Sequence, residues 1–119
     1  MKIQNFLVNL FILFVCPLLL VACGQEEPPA LAIPEGVILD VRTSQEFNTG
    51  HIPDAILLPY DQLYAEVEEL IPDKDQTIFV YCQSGRRSRI AASLLREIGY
   101  SSVYDLGGII NWDGEVIVP

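Results

Sequence analysis

From residue 37 onward, short apolar runs alternate with stretches in which apolar residues recur every third or fourth position. Val37-Ile38-Leu39 is a compact apolar run closed by Asp40, the pattern of a buried strand. Thr43, with Glu46 three residues on, makes a capping-box pattern that opens a short helix ending near Gly50. Ala55 to Leu58 predicts a second strand, closed by Pro59. Leu63, Val67, Leu70 and Ile71 then recur at helical spacing, with Glu66, Glu68 and Glu69 outside. Thr77 to Tyr81, β-branched and aromatic, predicts a third strand. Ser88 to Ile98 predicts a helix with Ile90, Ala91, Leu94, Leu95 and Ile98 on one face and Gly99 at its end. Val103 to Leu106 is the fourth predicted strand, and Gly107-Gly108 leads into a short helical segment around Ile109 to Trp112. Strands separated by helices predict a small α/β domain, a mostly parallel central sheet with helices on both faces. Such sheets bind ligands outside the carboxyl ends of their strands.

The start of the chain has a different texture. Lys2 supplies a short positive region, and Phe6 to Leu20 is almost wholly apolar, broken only by Asn9 and by Cys16-Pro17. That is a signal-peptide pattern. An uncleaved transmembrane anchor is the alternative, since the run approaches the length a bilayer needs. Leu20-Val21-Ala22-Cys23 tips the choice. It resembles a bacterial lipobox, in which small residues precede a cysteine that is lipidated and becomes the new N-terminus. Pro17, a poor interior residue for a spanning helix, leans the same way. Gly24 to Gly36 holds three prolines and three glutamates with no helical or strand period, and reads as a tether. Extended at about 3 Å per residue, it would hold a domain roughly 40 Å from the membrane. The expected organisation is therefore a lipoprotein signal peptide over 1–22, a lipidated Cys23 with a flexible acidic and proline-containing linker over 23–35, and one folded domain over 36–119. The expected location is extracytoplasmic, membrane-anchored, facing the periplasm or the cell surface.

Charge and cysteine count sharpen this picture. The chain carries a formal net charge of −9. An acidic surface argues against nucleic-acid partners and against electrostatic docking on anionic lipid, so membrane attachment would rest on the lipid at Cys23. With Cys16 removed and Cys23 lipidated, Cys82 is the sole free thiol of the mature chain. In an oxidising compartment, a thiol with no partner in its own chain is not lost to an internal disulfide. The alternative is a buried cysteine acting as a small hydrophobe.

The neighbours of Cys82 favour chemistry. In Tyr81-Cys82-Gln83-Ser84-Gly85-Arg86-Arg87-Ser88 the cysteine directly follows a predicted strand and precedes a predicted helix by about six residues. Its loop faces a helix N-terminus, and Gly85 permits the torsions needed to curl backbone N–H groups into an anion-binding nest. Those N–H groups, the helix dipole and nearby cations all favour thiolate over thiol. Arg86, Arg87 and Arg89 cluster here in an otherwise acidic chain, as a local anion site or as a solvated helix face. His51 is distant in sequence and no obvious base partner.

The stretch Tyr81 to Ser88, with "ILDVRTSQEFNTGHIPDAILLP" upstream and "VYDLGGIINW" downstream, resembles a single-domain rhodanese over about Gly36 to Glu115. The resemblance implies that Cys82 attacks the outer sulfur of thiosulfate or a related small-molecule donor, sulfite leaves, and a cysteine persulfide passes its sulfur to a thiol or to cyanide. It makes Gln83, Ser84, Gly85, Arg86 and Arg87 the substrate-binding loop. Asp40 and Arg42 take the family's D-x-R positions, as supporting groups or simply as a pair fixing the sheet end. Gly50-His51-Ile52-Pro53 reads as a structural turn and Trp112 as core packing. No metal-ligand spacing or cofactor motif is evident. Two other readings remain: a non-catalytic rhodanese-like module that docks a partner or senses sulfide, and a cysteine phosphatase or arsenate-reductase-like enzyme. The last uses an arginine six residues after the cysteine, where this chain has Ser88.

Overall fold

The computed structural model describes residues 34–119. The expected signal segment, the lipobox with Cys23 and most of the acidic linker lie outside the described residues. Among those described, four parallel strands form one sheet: β1 (Val37–Asp40), β2 (Ile56–Leu57), β3 (Ile78–Cys82) and β4 (Val103–Gly108). Helices α1 (Ser44–Thr49), α2 (Leu63–Leu70) and α3 (Arg86–Glu97) alternate with them, and a 3-10 turn, Ile109–Asn111, follows β4. The predicted α/β architecture is present.

Spatial order in the sheet is β2-β1-β3-β4. The chain leaves β1 toward one edge, crosses back to β3, and continues to β4. Right-handed crossovers then place α1 on one face and α2 with α3 on the other. Connections from β1 and β3 run in opposite directions, so the carboxyl ends of these two neighbours flank the switch-point crevice where open α/β sheets bind ligands.

Strand alternation sorts the side chains between faces. On one face Leu39, Ile78, Val80 and Cys82 join Leu63 and Val67 of α2 and Ala91, Ala92 and Leu95 of α3 in a single hydrophobic cluster. Each large side chain so buried contributes about 1.5–3 kcal/mol. Tyr100 closes this layer, its hydroxyl donating to the Ile71 carbonyl at the end of α2 and lying 3.2 Å from the Val67 carbonyl, which also accepts the Ile71 N–H. On the other face Phe79 stacks against Tyr104 with ring centroids 5.4 Å apart, and the Tyr81 hydroxyl accepts the Ile52 N–H from the chain leaving α1.

Several boundaries differ from the sequence expectation. β2 is two residues long, because Ala55 turns its N–H to the Ile52 carbonyl in a turn where Asp54 adopts φ 64°. α3 begins at Arg86 rather than Ser88, since Gly85 takes a left-handed conformation (φ 98°) that serves as its N-cap. Leu70 and Ile90, expected inside, sit at the margins of their apolar stripes and are 43% and 46% exposed, while Ser88 is fully buried. The capping box is formed as predicted: Thr43 Oγ1 accepts the Glu46 N–H, and Glu46 Oε2 accepts the Thr43 N–H at 3.0 Å.

Candidate active site

Cys82 ends β3, at the crevice, with no exposed surface. Gln83 to Gly85 carry the chain from there into α3. This loop lies on a floor made by β4. The register pairs Cys82 with Gly108 and Tyr81 with Gly107 after an irregularity at Val80/Tyr81. A Cβ on Gly108 would fall 2.5 Å from the Gln83 carbonyl oxygen and 2.7 Å from the Ser84 backbone, so only glycine lets strand and loop approach this closely. Ile110 fastens the same loop by donating its N–H to the Gln83 carbonyl at 3.3 Å.

Inside the loop, Cys82 Sγ accepts the Gly85 N–H at 3.0 Å. Burial pushes the thiol up, yet the Ser88 hydroxyl and N–H, with the Gly85 and Ser84 N–H groups, outweigh burial and hold it below the ordinary cysteine value. Those N–H groups belong to the loop and the first turn of α3, where no helical carbonyl is available to them. Hydrogen bonding to the charged form favours that form. The result is a buried sulfur whose thiolate form is favoured, with no base beside it among the described residues. Ser88 Oγ, itself fully buried, lies 3.1 Å from the Gly85 carbonyl, and its single hydroxyl hydrogen serves either that carbonyl, bracing the turn, or the Cys82 sulfur.

Asp40 and Arg42 face the same crevice from the end of β1. They do pair, as the structural alternative expected. Arg42 Nη2 lies 2.6 Å from Asp40 Oδ2, Nε bonds both carboxylate oxygens at 3.0 Å, and both residues are essentially unexposed. The pair also extends outward, because Arg42 Nη2 donates to the Gly50 carbonyl at 2.7 Å and Nη1 to Gln83 Oε1 at 3.1 Å. Burial works to discharge the guanidinium, but Asp40 wins and holds Arg42 above the ordinary arginine value. Burial first, then Asp40, push the neighbouring Tyr81 phenol well above its usual range. Arg42 thus links the sheet end to the cysteine loop as a permanently charged brace.

The three clustered arginines separate in the fold. Arg86 and Arg89 are exposed. Arg87 is taken by Glu46, which it binds in a bidentate fork at 2.8 Å and 2.8 Å. Glu46 therefore serves twice, closing the α1 capping box and clamping the first turn of α3. The Arg87 bonds, aided by Thr43 and opposed by burial, bring its carboxyl down to about 2. A depressed carboxylate stabilises the fold above its unfolded value near 4.5 and loses that contribution as pH falls toward 2. For a partly exposed pair it amounts to about 0.5–1 kcal/mol.

His51 is committed elsewhere. Its ring stacks on Phe47 at 3.7 Å, Nδ1 lies 3.1 Å from the Phe47 carbonyl, and its backbone exchanges two hydrogen bonds with Ile117. Trp112, expected in the core, is only half-buried, its indole N–H bonding the Glu115 carbonyl. The sequence reading missed three parts of the site: the Gly107-Gly108 floor, the buried Ser88, and Glu46 as partner of the loop. Paired glycines ending the strand beside the cysteine strand are the one local signal that pointed to any of them.

The rhodanese-like domain family matches residues 26–115. A sulfurtransferase of Allochromatium vinosum is 43% identical over 84 residues, covering 69% of this chain and 77% of that protein. The thiosulfate sulfurtransferase PspE of Escherichia coli is 35% identical over 71 residues, covering 60% of this chain and 68% of that protein. Some relatives are much longer: the match to a tRNA uridine(34) hydroxylase of Erwinia tasmaniensis spans 24% of that protein. Among solved structures, a rhodanese with anions from E. coli superimposes with a TM-score of 0.66 at 30% identity, covering 70% of this chain and 98% of that one. A parallel sheet of this order, a cysteine cradled at its switch point and a family match across most of the chain agree, and the chain belongs to the rhodanese-like family, among relatives named as sulfurtransferases.

Proposed function

We propose that this domain is a sulfurtransferase that moves a sulfane sulfur from thiosulfate or a related donor to a thiophilic acceptor through a persulfide on Cys82. The observation that carries this reading is the Cys82 sulfur, held 3.0 Å from the Gly85 N–H in a loop that acidifies it. The thiolate attacks the outer sulfur of the donor. A new S–S bond forms at Cys82, the donor's own S–S bond breaks, and its electron pair leaves with sulfite. Cyanide or a thiol then attacks the outer persulfide sulfur and carries it away, which returns the thiolate to its N–H cradle. The cradle serves both steps, because the cysteine sulfur is the anionic nucleophile in the first and the anionic leaving group in the second.

A phosphatase needs an arginine six residues after the nucleophile to clamp phosphoryl oxygens bidentately. Ser88 stands there, buried and turned to backbone carbonyls, and Arg87 is occupied by Glu46. The test is a side-by-side assay of one preparation. Thiosulfate:cyanide transfer is expected, with no hydrolysis of aryl phosphates. Phosphate turnover without sulfur transfer would favour the phosphatase, and binding of sulfide with neither activity would favour a sensing module.

Lipid on Cys23 is proposed to hold the enzyme on the extracytoplasmic side of a membrane. Support comes from the apolar run, the Leu20–Cys23 pattern and an acidic composition unsuited to binding anionic lipid by charge. More than one acyl chain is needed for stable attachment. Cys23→Ser should block maturation and remove the protein from the processed membrane fraction. Native protein that retains residues 1–22 would contradict the lipid anchor and favour an uncleaved transmembrane one.

A further inference from the structure

Arg42 can only donate hydrogen bonds. Its Nη1 therefore fixes which end of the Gln83 amide faces it: Oε1 points at the guanidinium, and Nε2 with its two N–H groups points away. Among the described residues Nε2 bonds no protein group, yet no buried side-chain nitrogen there lacks a partner. Nε2 is therefore not fully buried, on the half-buried residue next to the nucleophile. Its position is held at both ends, through the Gln83 carbonyl on the Ile110 N–H and through the amide on Arg42.

Two of the cations around the loop are committed. Arg42 spends Nε and Nη2 on Asp40 and the Gly50 carbonyl, and Arg87 is forked onto Glu46. An anion next to Cys82 therefore meets neutral N–H donors, with the exposed Arg86 as the remaining nearby cation. Of the neutral donors, the Gln83 amide is polarised by the guanidinium behind it, since hydrogen bonds in series strengthen one another. Resting on the sulfurtransferase reading, we propose that Gln83 Nε2 is the side-chain donor that binds the sulfonyl oxygens of a thiosulfate- or thiosulfonate-type sulfur donor, with Arg42 as its positioning residue. Gln83 then sets a preference for oxyanion-tailed donors over persulfides with an uncharged tail.

The test compares thiosulfate with the hydropersulfide of 2-mercaptoethanol as donors for wild type, Gln83→Glu and Gln83→Met. Glutamate keeps an acceptor for Arg42, so the loop stays braced, but it replaces the outward N–H groups with a negative oxygen. Methionine of similar length removes donor and brace together. For Gln83→Glu the ratio of kcat/KM for thiosulfate over the hydropersulfide should fall at least about tenfold, the loss of one hydrogen bond to a charged group, mostly through KM for thiosulfate. Gln83→Met should lower that ratio too, though less, because it adds no repulsion. A ratio within about twofold of wild type in Gln83→Glu would overturn the proposal, as would equal losses toward both donors, the signature of a brace alone. Wild-type protein inert to both donors would overturn the sulfurtransferase reading itself, which the two variants cannot do.

Discussion

Cys82→Ser should abolish sulfur transfer, with a loss of at least about a thousandfold in the thiosulfate:cyanide assay. Removing a covalent nucleophile costs that much or more, because the remaining binding groups have no atom to accept the transferring group. A serine hydroxyl in the same cradle receives the same N–H groups, but they cannot ionise an alcohol with no base beside it. His51, stacked on Phe47 and bonded to its carbonyl, is not placed to act as one. The substitution is close to isosteric, and the Gly85 N–H that met sulfur can meet oxygen, so the fold should survive. Thermal unfolding alongside the assay separates lost chemistry from lost structure. Transfer at wild-type rate in a folded Cys82→Ser protein would end the persulfide mechanism.

The second large effect is on stability. Asp40→Asn should destabilise the domain by about 3–5 kcal/mol, because it leaves the buried Arg42 guanidinium without its counter-charge. Arg42 cannot escape by losing its proton, as arginine stays charged in proteins. A domain of this size has about 5–15 kcal/mol in total, so the variant should sit near the edge of folding. Its midpoint should drop by more than about 10 °C. The loop should loosen as well, since Arg42 Nη1 holds Gln83. Adding Arg42→Met to Asp40→Asn removes the orphaned charge and should recover part of the loss, the non-additivity expected of residues in contact. Urea unfolding of both single variants and the double variant measures this. A cost below about 1 kcal/mol for Asp40→Asn would mean that the pair is solvated and does not brace the sheet end.

Local features were legible and distant ones were not. Thr43 and Glu46 announce a helix start because the capping box is complete within four residues. The apolar runs at Val37 and Ile78 announce buried strands because each is covered on both faces. The start of α3 was misplaced because Gly85 caps it through its own backbone conformation, with no side-chain bond to signal a cap, and because Arg86 and Arg87 look like loop residues. The clamp of Arg87 by Glu46 joins residues 41 positions apart. It depends on the order of strands in the sheet, which no local pattern encodes. The Gly108 floor has the same origin: its need for glycine exists only once β4 lies beside β3. Asp40 ends β1 and Arg42 stands two residues on, so an extended continuation places them on one face. Their burial follows from the covering chain at Gly50, which the alternation pattern does not reveal. Cys82 itself stood out because strand, cysteine, glycine and helix follow one another directly.

Persulfide formation on Cys82 is read most directly from the intact mass of the wild-type domain, recorded before thiosulfate, after thiosulfate, and again after cyanide. A gain of one sulfur atom, mapped to Cys82, should be followed by its loss to cyanide with an equivalent of thiocyanate. No gain under excess thiosulfate, or a gain that persists in Cys82→Ser, would contradict the persulfide.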